Sequence, residues 1–248
     1  LYPDRSNSAG ILWASEAAVV QTQDAMNARI DVALEAAPML GASSSPIPQF
    51  PPQKVINPAA LDQIVGQVSN TEAQQVSAAI DAAVQAFPAW TETPASQRAK
   101  MLEQAADALE ANVGLFLHLL CREAGKTLND GIAEVREAAD FCRYYALQAR
   151  KHFAEPTVLP GPTGEHNQIA LHGRGAFVCI SPWNFPLAIF AGQVVAALAA
   201  GNTVLAKPAE QTPLVAAAMV RLLHDAGVPR DVLQWLPGDG PTVGAPLT

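Results

Sequence analysis

Apolar residues recur every three or four positions through most of the first 150 residues, a spacing that predicts helices. In "TEAQQVSAAIDAAVQAF" the residues Val76, Ile80, Val84 and Phe87 share one face, and Thr71 and Gln74 are spaced as a capping box. Thr93 and Pro94 open a second helix with Met101, Leu102, Ala105 and Leu109 inward, and a third is expected over Val113 to Ala124. From Asp130 to about Lys151 the positions Ile132, Val135, Ala139, Cys142 and Ala146 keep the helical period. Upstream, an Ala-rich segment from Ser15 to Ala37 gives way to "GASSSPIPQFPPQKVINP". Its prolines fix φ and remove backbone donors, so it is expected to run extended over a surface as a linker, outside any core.

The pattern changes at Pro156. "EPTVLPGPTGEHNQIALHGRGAFVCI" is punctuated by Gly and Pro, and Glu155 to Arg174 reads as a hairpin. Beyond it, "GAFVCI", a helix from Pro186, "TVLAKP", a helix from Pro213 to Ala226 and "VLQWLPG" alternate strand with helix across short connections. That order predicts a parallel, doubly wound sheet, whose ligands sit beyond the carboxyl ends of the strands. "SPWN", "KPAE" and "GDGPTVG" fall at those ends. The expected fold class is thus α/β, a helical N-terminal part followed by a partial Rossmann-type sheet.

Charge and cysteine usage narrow the partners. Twenty-three acidic residues against fifteen Lys and Arg give a formal charge of −8 with no basic run, which argues against a nucleic-acid or other polyanion partner. The longest apolar run, Phe185 to Ala200, is broken by Gly192 and Gln193 and is shorter than the ~20 residues of a bilayer span; it reads as a buried helix. The opening "LYPDRSNSAG" shows no secretory signal. Cys121, Cys142 and Cys179 are odd in number and lie in apolar surroundings, as buried free thiols do, so the expected compartment is the cytoplasm.

Taken singly, the polar residues at the strand ends admit two readings each. Asn184 is either a turn residue bonded to its own backbone or an amide donor aimed at an oxyanion. Lys207 and Glu210 are either a surface ion pair or a ligand contact. Gly238, Gly240 and Gly244 depart from Gly-x-Gly-x-x-Gly and make either a tight turn or a dinucleotide loop. "GKT" at Gly125 to Thr127 shares letters with a P-loop, but Leu120 stands where the first glycine is required and a helix precedes it; a capped helix end is expected instead.

In combination, "SPWNFP", "ALAAGNTVLAKPAEQTP", "AGVPRDVLQWLPG" and "GDGPTVG" closely resemble the NAD(P)-dependent aldehyde dehydrogenase superfamily over about residues 50 to 248. "LYPDRSNSAG", "FPPQKVINPA" and "GIAEVREAADFCRYYALQAR" look most like the glutamate-γ-semialdehyde dehydrogenase half of bifunctional proline utilisation proteins. The resemblance implies residues 1–50 as a connecting segment after an FAD-containing proline dehydrogenase domain, and 51–248 as the NAD-binding part of a dehydrogenase domain. It also implies a homo-oligomer and a hairpin at 155–174 that packs against another subunit or an equivalent flap. A cysteine thiolate would attack the aldehyde, a side-chain amide and a backbone N–H would hold the oxyanion, and hydride would pass to NAD. By the same resemblance Asn184 is the amide donor, Lys207 and Glu210 bind the adenosine ribose hydroxyls, Ile180, Ser181, Pro182 and Trp183 form the wall beside the cofactor, and Gly240 and Pro241 line its adenine end. Glu137, in "EVREAADF", would contact the substrate's α-amino group; its other reading is a solvated helix face.

The family's nucleophile motif, Gly-Gln-x-Cys, and its general-base motif, Glu-Leu-Gly-Gly, are both missing. "GQVS" at Gly66 carries serine, Glu123 in "EAGK" precedes the dinucleotide fold, and Cys179 sits in an apolar strand pattern. The chain is therefore expected to be a fragment. A noncatalytic assembly or interaction module with the same fold, or a dehydrogenase for another aldehyde, is the alternative; a downstream Gly-Gln-x-Cys would discriminate the module from a dehydrogenase.

Overall fold

In the computed structural model, which describes residues 6–9, 11, 15–28, 34–41 and 51–248, the helical periods are realised but several boundaries move. α1 (Glu16–Asn27) starts at Ser15, whose hydroxyl accepts from the Ala18 N–H. β1 (Leu34–Ala36), β2 (Gln53–Asn57) and β3 (Ala60–Val68) form a small sheet in the order β1-β3-β2, with β1 parallel and β2 antiparallel to β3. The expected linker needs correction here. Residues 42–50 lie outside the described residues, but Gln53–Asn57 joins the core, with Val55 and Asn57 buried and Lys54 and Ile56 outward. Pro51 and Pro52 stop before the ladder begins, so the strand keeps its N–H donors. Gly66 lets β1 and β3 approach, since a Cβ there would collide with the Leu34 carbonyl. Residues 34–41 are likewise anchored: Met39 exchanges backbone hydrogen bonds with Trp235 at 3.1 and 2.9 Å.

α2 (Ala73–Thr91) begins one residue later than the expected box. Glu72 and Gln75 form it, because the Thr71 N–H is taken by the Pro237 carbonyl at 2.7 Å. Its buried stripe runs through Val76, Ala79 and Ala83, while Val84 is 56 % exposed. The small alanines let this helix lie close on a sheet, and that contact, more than side-chain size, chose the face. α3 (Ala95–Ala111), α4 (Val113–Arg122) and α5 (Leu128–Phe153) follow, with Thr127 capping α5 through the Asp130 N–H. Leu102, Ala105 and Leu109 are buried as expected, as are Ile132, Val135, Ala139, Cys142 and Ala146; Met101 is only half-buried. Gly125, at φ +67, ends the α4 turn, as the capped-helix reading of "GKT" requires.

β4 (Thr157–Leu159) and β5 (Asn167–Ile169) pair antiparallel in the expected hairpin, and Val158, Leu159, Ile169 and Leu171 are all exposed on it. β6 (Ala176–Ile180), β7 (Thr203–Lys207) and β8 (Leu233–Trp235) then form a parallel sheet in that order, linked by α6 (Ala188–Ala199) and α7 (Pro213–Asp225). β7 is buried throughout. Val204 and Ala206 face the main core with α6 and α7, whereas Leu205 joins Val76, Ala79 and Ala83 of α2 on the opposite face. Two polar contacts tie α2 down: Thr203 Oγ1 donates to the Ala83 carbonyl and Gln234 Nε2 to that of Ala79. The β6-β7-β8 order contains no reversal among the described residues. Phe177, Val178 and Ile180 of β6 are exposed beside an apolar groove of about 780 Å3 that also reaches Phe153 and Thr248.

Candidate functional site

β6 and β7 end in register, with Ile180 opposite Lys207, and the Ser181 N–H donates to the Lys207 carbonyl at 3.1 Å. The segments "ISPW" and "KPAE" therefore leave the sheet side by side at its carboxyl edge. Ile180 and Trp183 are exposed, Pro182 is half-buried, and Ser181 is buried with its hydroxyl donating to Gln193 Oε1 at 3.2 Å. Asn184 is exposed on the loop between β6 and α6, and its amide makes no hydrogen bond among the described residues. The self-bonded turn reading thus lacks its bond.

Lys207 is only 5 % exposed, yet among the described residues its ammonium has one weak acceptor, the Pro208 carbonyl at 3.3 Å. Burial lowers its pKa, and the Glu210 and Asp239 carboxylates oppose that shift. Glu210 reaches across from the end of β7: its Oε1 accepts from the Gly240 N–H at 3.0 Å. Gly240–Gly244 is a π-helical turn that runs into α8 (Ala245–Leu247). Its N-terminus is already capped by Asp239, which accepts from the Thr242 N–H at 2.6 Å and whose carboxyl is held low chiefly by that bond. A carboxylate in that place repels phosphate, so the turn does not work as a phosphate cradle. What it offers is space, since a Cβ on Gly240 would meet no atom within 4 Å, and Pro241 beside it is exposed. Lys207, Glu210, Gly240 and the Ile180–Trp183 wall are thereby gathered at one sheet edge.

Glu137 lies apart, exposed on α5 one turn beyond Glu134, in an open depression of about 430 Å3 with Arg136, Asp140, Phe141 and Tyr144. Cys142 and Cys179 are free and buried, and burial pushes each thiol up to about 12. Two buried glutamates take roles that the sequence did not announce. Glu123 accepts from the N–H groups of Leu214 and Val215 at 2.6 and 2.9 Å, capping α7; burial pushes its carboxyl up to about 8 against the pull of these two donors. Glu134 accepts from Leu187 and Ala188 at 2.7 and 3.1 Å, capping α6. Arg98 donates to the Ala199 carbonyl at the other end, so α6, which has no charge of its own, is bracketed by the signs its dipole favours. A glutamate cap supplied from another helix has no local signature. Only the absence of Ser, Thr, Asp or Asn at Leu187 could have hinted at one.

The aldehyde dehydrogenase family profile matches residues 49–248. The chain belongs to the aldehyde dehydrogenase family. Bifunctional protein PutA of Klebsiella aerogenes is 47 % identical over 244 residues, which are 98 % of this chain and 17 % of that protein. The 1-pyrroline-5-carboxylate dehydrogenase of Bacillus subtilis is 41 % identical over 76 % of this chain and 36 % of its own length. Among solved structures, 1-pyrroline-5-carboxylate dehydrogenase from Thermus with bound NAD superposes with a TM-score of 0.90 at 34 % identity, covering 100 % of this chain and 48 % of that one. A proline utilization A structure with proline bound in remote sites gives 0.81 at 45 % identity, covering 100 % of this chain and 21 % of that one. The chain thus spans about a sixth of its PutA relatives, and the aldehyde dehydrogenase fold it carries is a part of theirs. No helix among the described residues is long and apolar enough to cross a membrane.

Proposed function

We propose that this chain is the NAD-binding portion of a dehydrogenase that oxidises L-glutamate γ-semialdehyde to L-glutamate, within a longer polypeptide that also carries an FAD-dependent proline dehydrogenase domain. In that reading residues 1–50 connect the two activities and 51–248 begin the dehydrogenase domain. The observation that supports it most is the convergence of Lys207, Glu210 and Gly240 beyond the carboxyl ends of parallel strands. Ribose hydroxyls both donate and accept. Among the described residues Lys207 has unused donors and Glu210 an unused carboxylate oxygen, so this pair suits a diol, and the open space over Gly240 and Pro241 suits an adenine ring. Bound NAD would supply the hydride acceptor. Ile180 to Trp183 would wall the cofactor on its β6 side. The Asn184 amide would donate to the oxyanion that forms when a thiolate from beyond this segment adds to the aldehyde, and Glu137 would meet the substrate's α-amino group.

Cofactor choice tests the ribose site. Glu210 should accept from a 2′-hydroxyl and repel a 2′-phosphate, as acidic residues do in other dinucleotide folds, so kcat/KM should favour NAD and Glu210→Gln should narrow the preference. A full-length protein that prefers NADP refutes the assignment. The hairpin tests assembly. Four apolar residues exposed together on β4 and β5 and just beyond them mark a surface for a second subunit. Light scattering on the full-length protein with Ile169 and Leu171 changed to Asp should show a smaller particle; an unchanged mass would count against an interface here.

A further inference from the structure

The Asn184 loop is held at both ends, and the two ends are held differently. At its start Ser181 bonds to β7 and to Gln193 of α6, the helix that the loop itself leads into. At its end the N–H groups of Leu187 and Ala188 both point at one oxygen of Glu134, a residue 53 positions upstream on α5 with no exposed surface. The other oxygen, Oε2, meets the Lys126 ammonium at 2.7 Å. That ammonium also stands 4.1 Å from the centroid of the Phe185 ring, and Phe185 is the residue next to Asn184.

We propose that Lys126 and Glu134 form a positioning clamp that fixes the Asn184 amide relative to α5; the inference rests on Asn184 being the oxyanion donor. A plain helix cap would need only the carboxylate. The equivalent cap on α7, Glu123, has no ion-pair partner among the described residues and no aromatic ring beneath a cation. At α6 the added cation neutralises a carboxylate whose burial would otherwise be costly, and spends its remaining field on a ring in the catalytic loop. Pro182 and Pro186 lack N–H donors; between them the Phe185 carbonyl accepts from the Ile189 N–H of α6 at 3.3 Å, and Glu134 and Lys126 add contacts from α5 and the turn before it. Lys126 and Glu134 touch no reacting atom; they act through Asn184.

The test uses the full-length polypeptide that carries this chain, with kcat, the aldehyde KM and NAD affinity measured for Lys126→Met, Lys126→Arg and Glu134→Gln, alone and combined with Asn184→Ala. Alone, Lys126→Met and Glu134→Gln should lower kcat roughly 10-fold with NAD affinity nearly unchanged, since a misplaced group costs rate before it costs binding. Lys126→Arg should restore most of the loss. In the Asn184→Ala background the same changes should cost less than about twofold more, because there is no amide left to place. Equal losses in both backgrounds would make the pair a general support and overturn the clamp, as would a parental kcat for Lys126→Met. If Glu134→Gln does not fold, Lys126→Met decides together with the charge-conserving Lys126→Arg, each checked for an unchanged fold by circular dichroism. A parental kcat for Asn184→Ala by itself instead sinks the oxyanion reading, and the clamp with it.

Discussion

Replacing Asn184 with Ala in the full-length polypeptide should lower kcat by roughly 10²–10³-fold while NAD affinity stays near its starting value, the loss that removal of one oxyanion donor brings. The amide is exposed, uncommitted to any hydrogen bond among the described residues, and carried on a loop pinned to β7 at one end and to α5 at the other. A donor kept free but well placed loses nothing when a charge develops in front of it, so its effect should fall on the transition state and spare ground-state binding. The proposed ribose contacts, Lys207 at the end of β7 and Glu210 on the loop after it, lie on a neighbouring segment and should not notice the change. Steady-state kinetics beside an NAD titration separate the two effects. An unchanged kcat removes Asn184 from the chemistry, and a weakened NAD affinity of the same size reassigns it to the cofactor.

How much of this was legible beforehand follows from the range of the forces involved. α3, α5 and α7 were readable because each buries a stripe set by its own residues, and α6 because it is apolar on nearly every face; the short apolar runs "GAFVCI" and "TVLAKP" read as strands between helices, although only "TVLAKP" is buried throughout. β2 and β3 were not foreseen. Gln53–Asn57 sits behind a proline-rich stretch, and the alternation in Ala60–Val68 is weak, with only Val65, Gly66 and Val68 buried on it. β3 owes its place to pairing with β1 and β2 on its two sides, and β2 to pairing with β3. The box at α2 slipped by one residue because a tertiary carbonyl claimed Thr71. In the site, Lys207, Glu210 and Gly240 could be named from motif resemblance, but their meeting could not, since it depends on the Glu210 side chain crossing to the Gly240 N–H. On sequence alone the glycine turn admits a phosphate reading; Asp239, filling its cap, closes it. Glu123, Glu134 and Lys126 were hidden for the same reason: each is defined by a partner on a distant element.

The 248-residue chain alone should reduce no NAD in the presence of glutamate γ-semialdehyde, and Cys179→Ala in the full-length polypeptide should leave kcat at its parental value. Three cysteines are available. Burial raises the pKa of every one of them, to about 12 for Cys142 and Cys179, so at pH 8 only on the order of one molecule in 10⁴ would carry a thiolate at either position. Cys142 is sealed inside α5 packing and Cys179 lies within β6, between the exposed Val178 and Ile180, with no cation or basic group among the causes of its shift. Burial outweighs the pull of Arg143 on Cys142 and of Arg122 on Cys121, and Cys179 has no cation beside it, so none of the three is activated as a nucleophile, and positioning of aldehyde and cofactor cannot replace the covalent step. The chain alone should also self-associate, because β6 presents Phe177, Val178 and Ile180 along an open groove of about 780 Å3. Static light scattering on the purified chain reads that directly, and absorbance at the reduced nicotinamide band reads turnover. Activity in the isolated chain that Cys179→Ala abolishes would place the nucleophile on β6 and overturn the assignment of the catalytic thiol to residues beyond this segment.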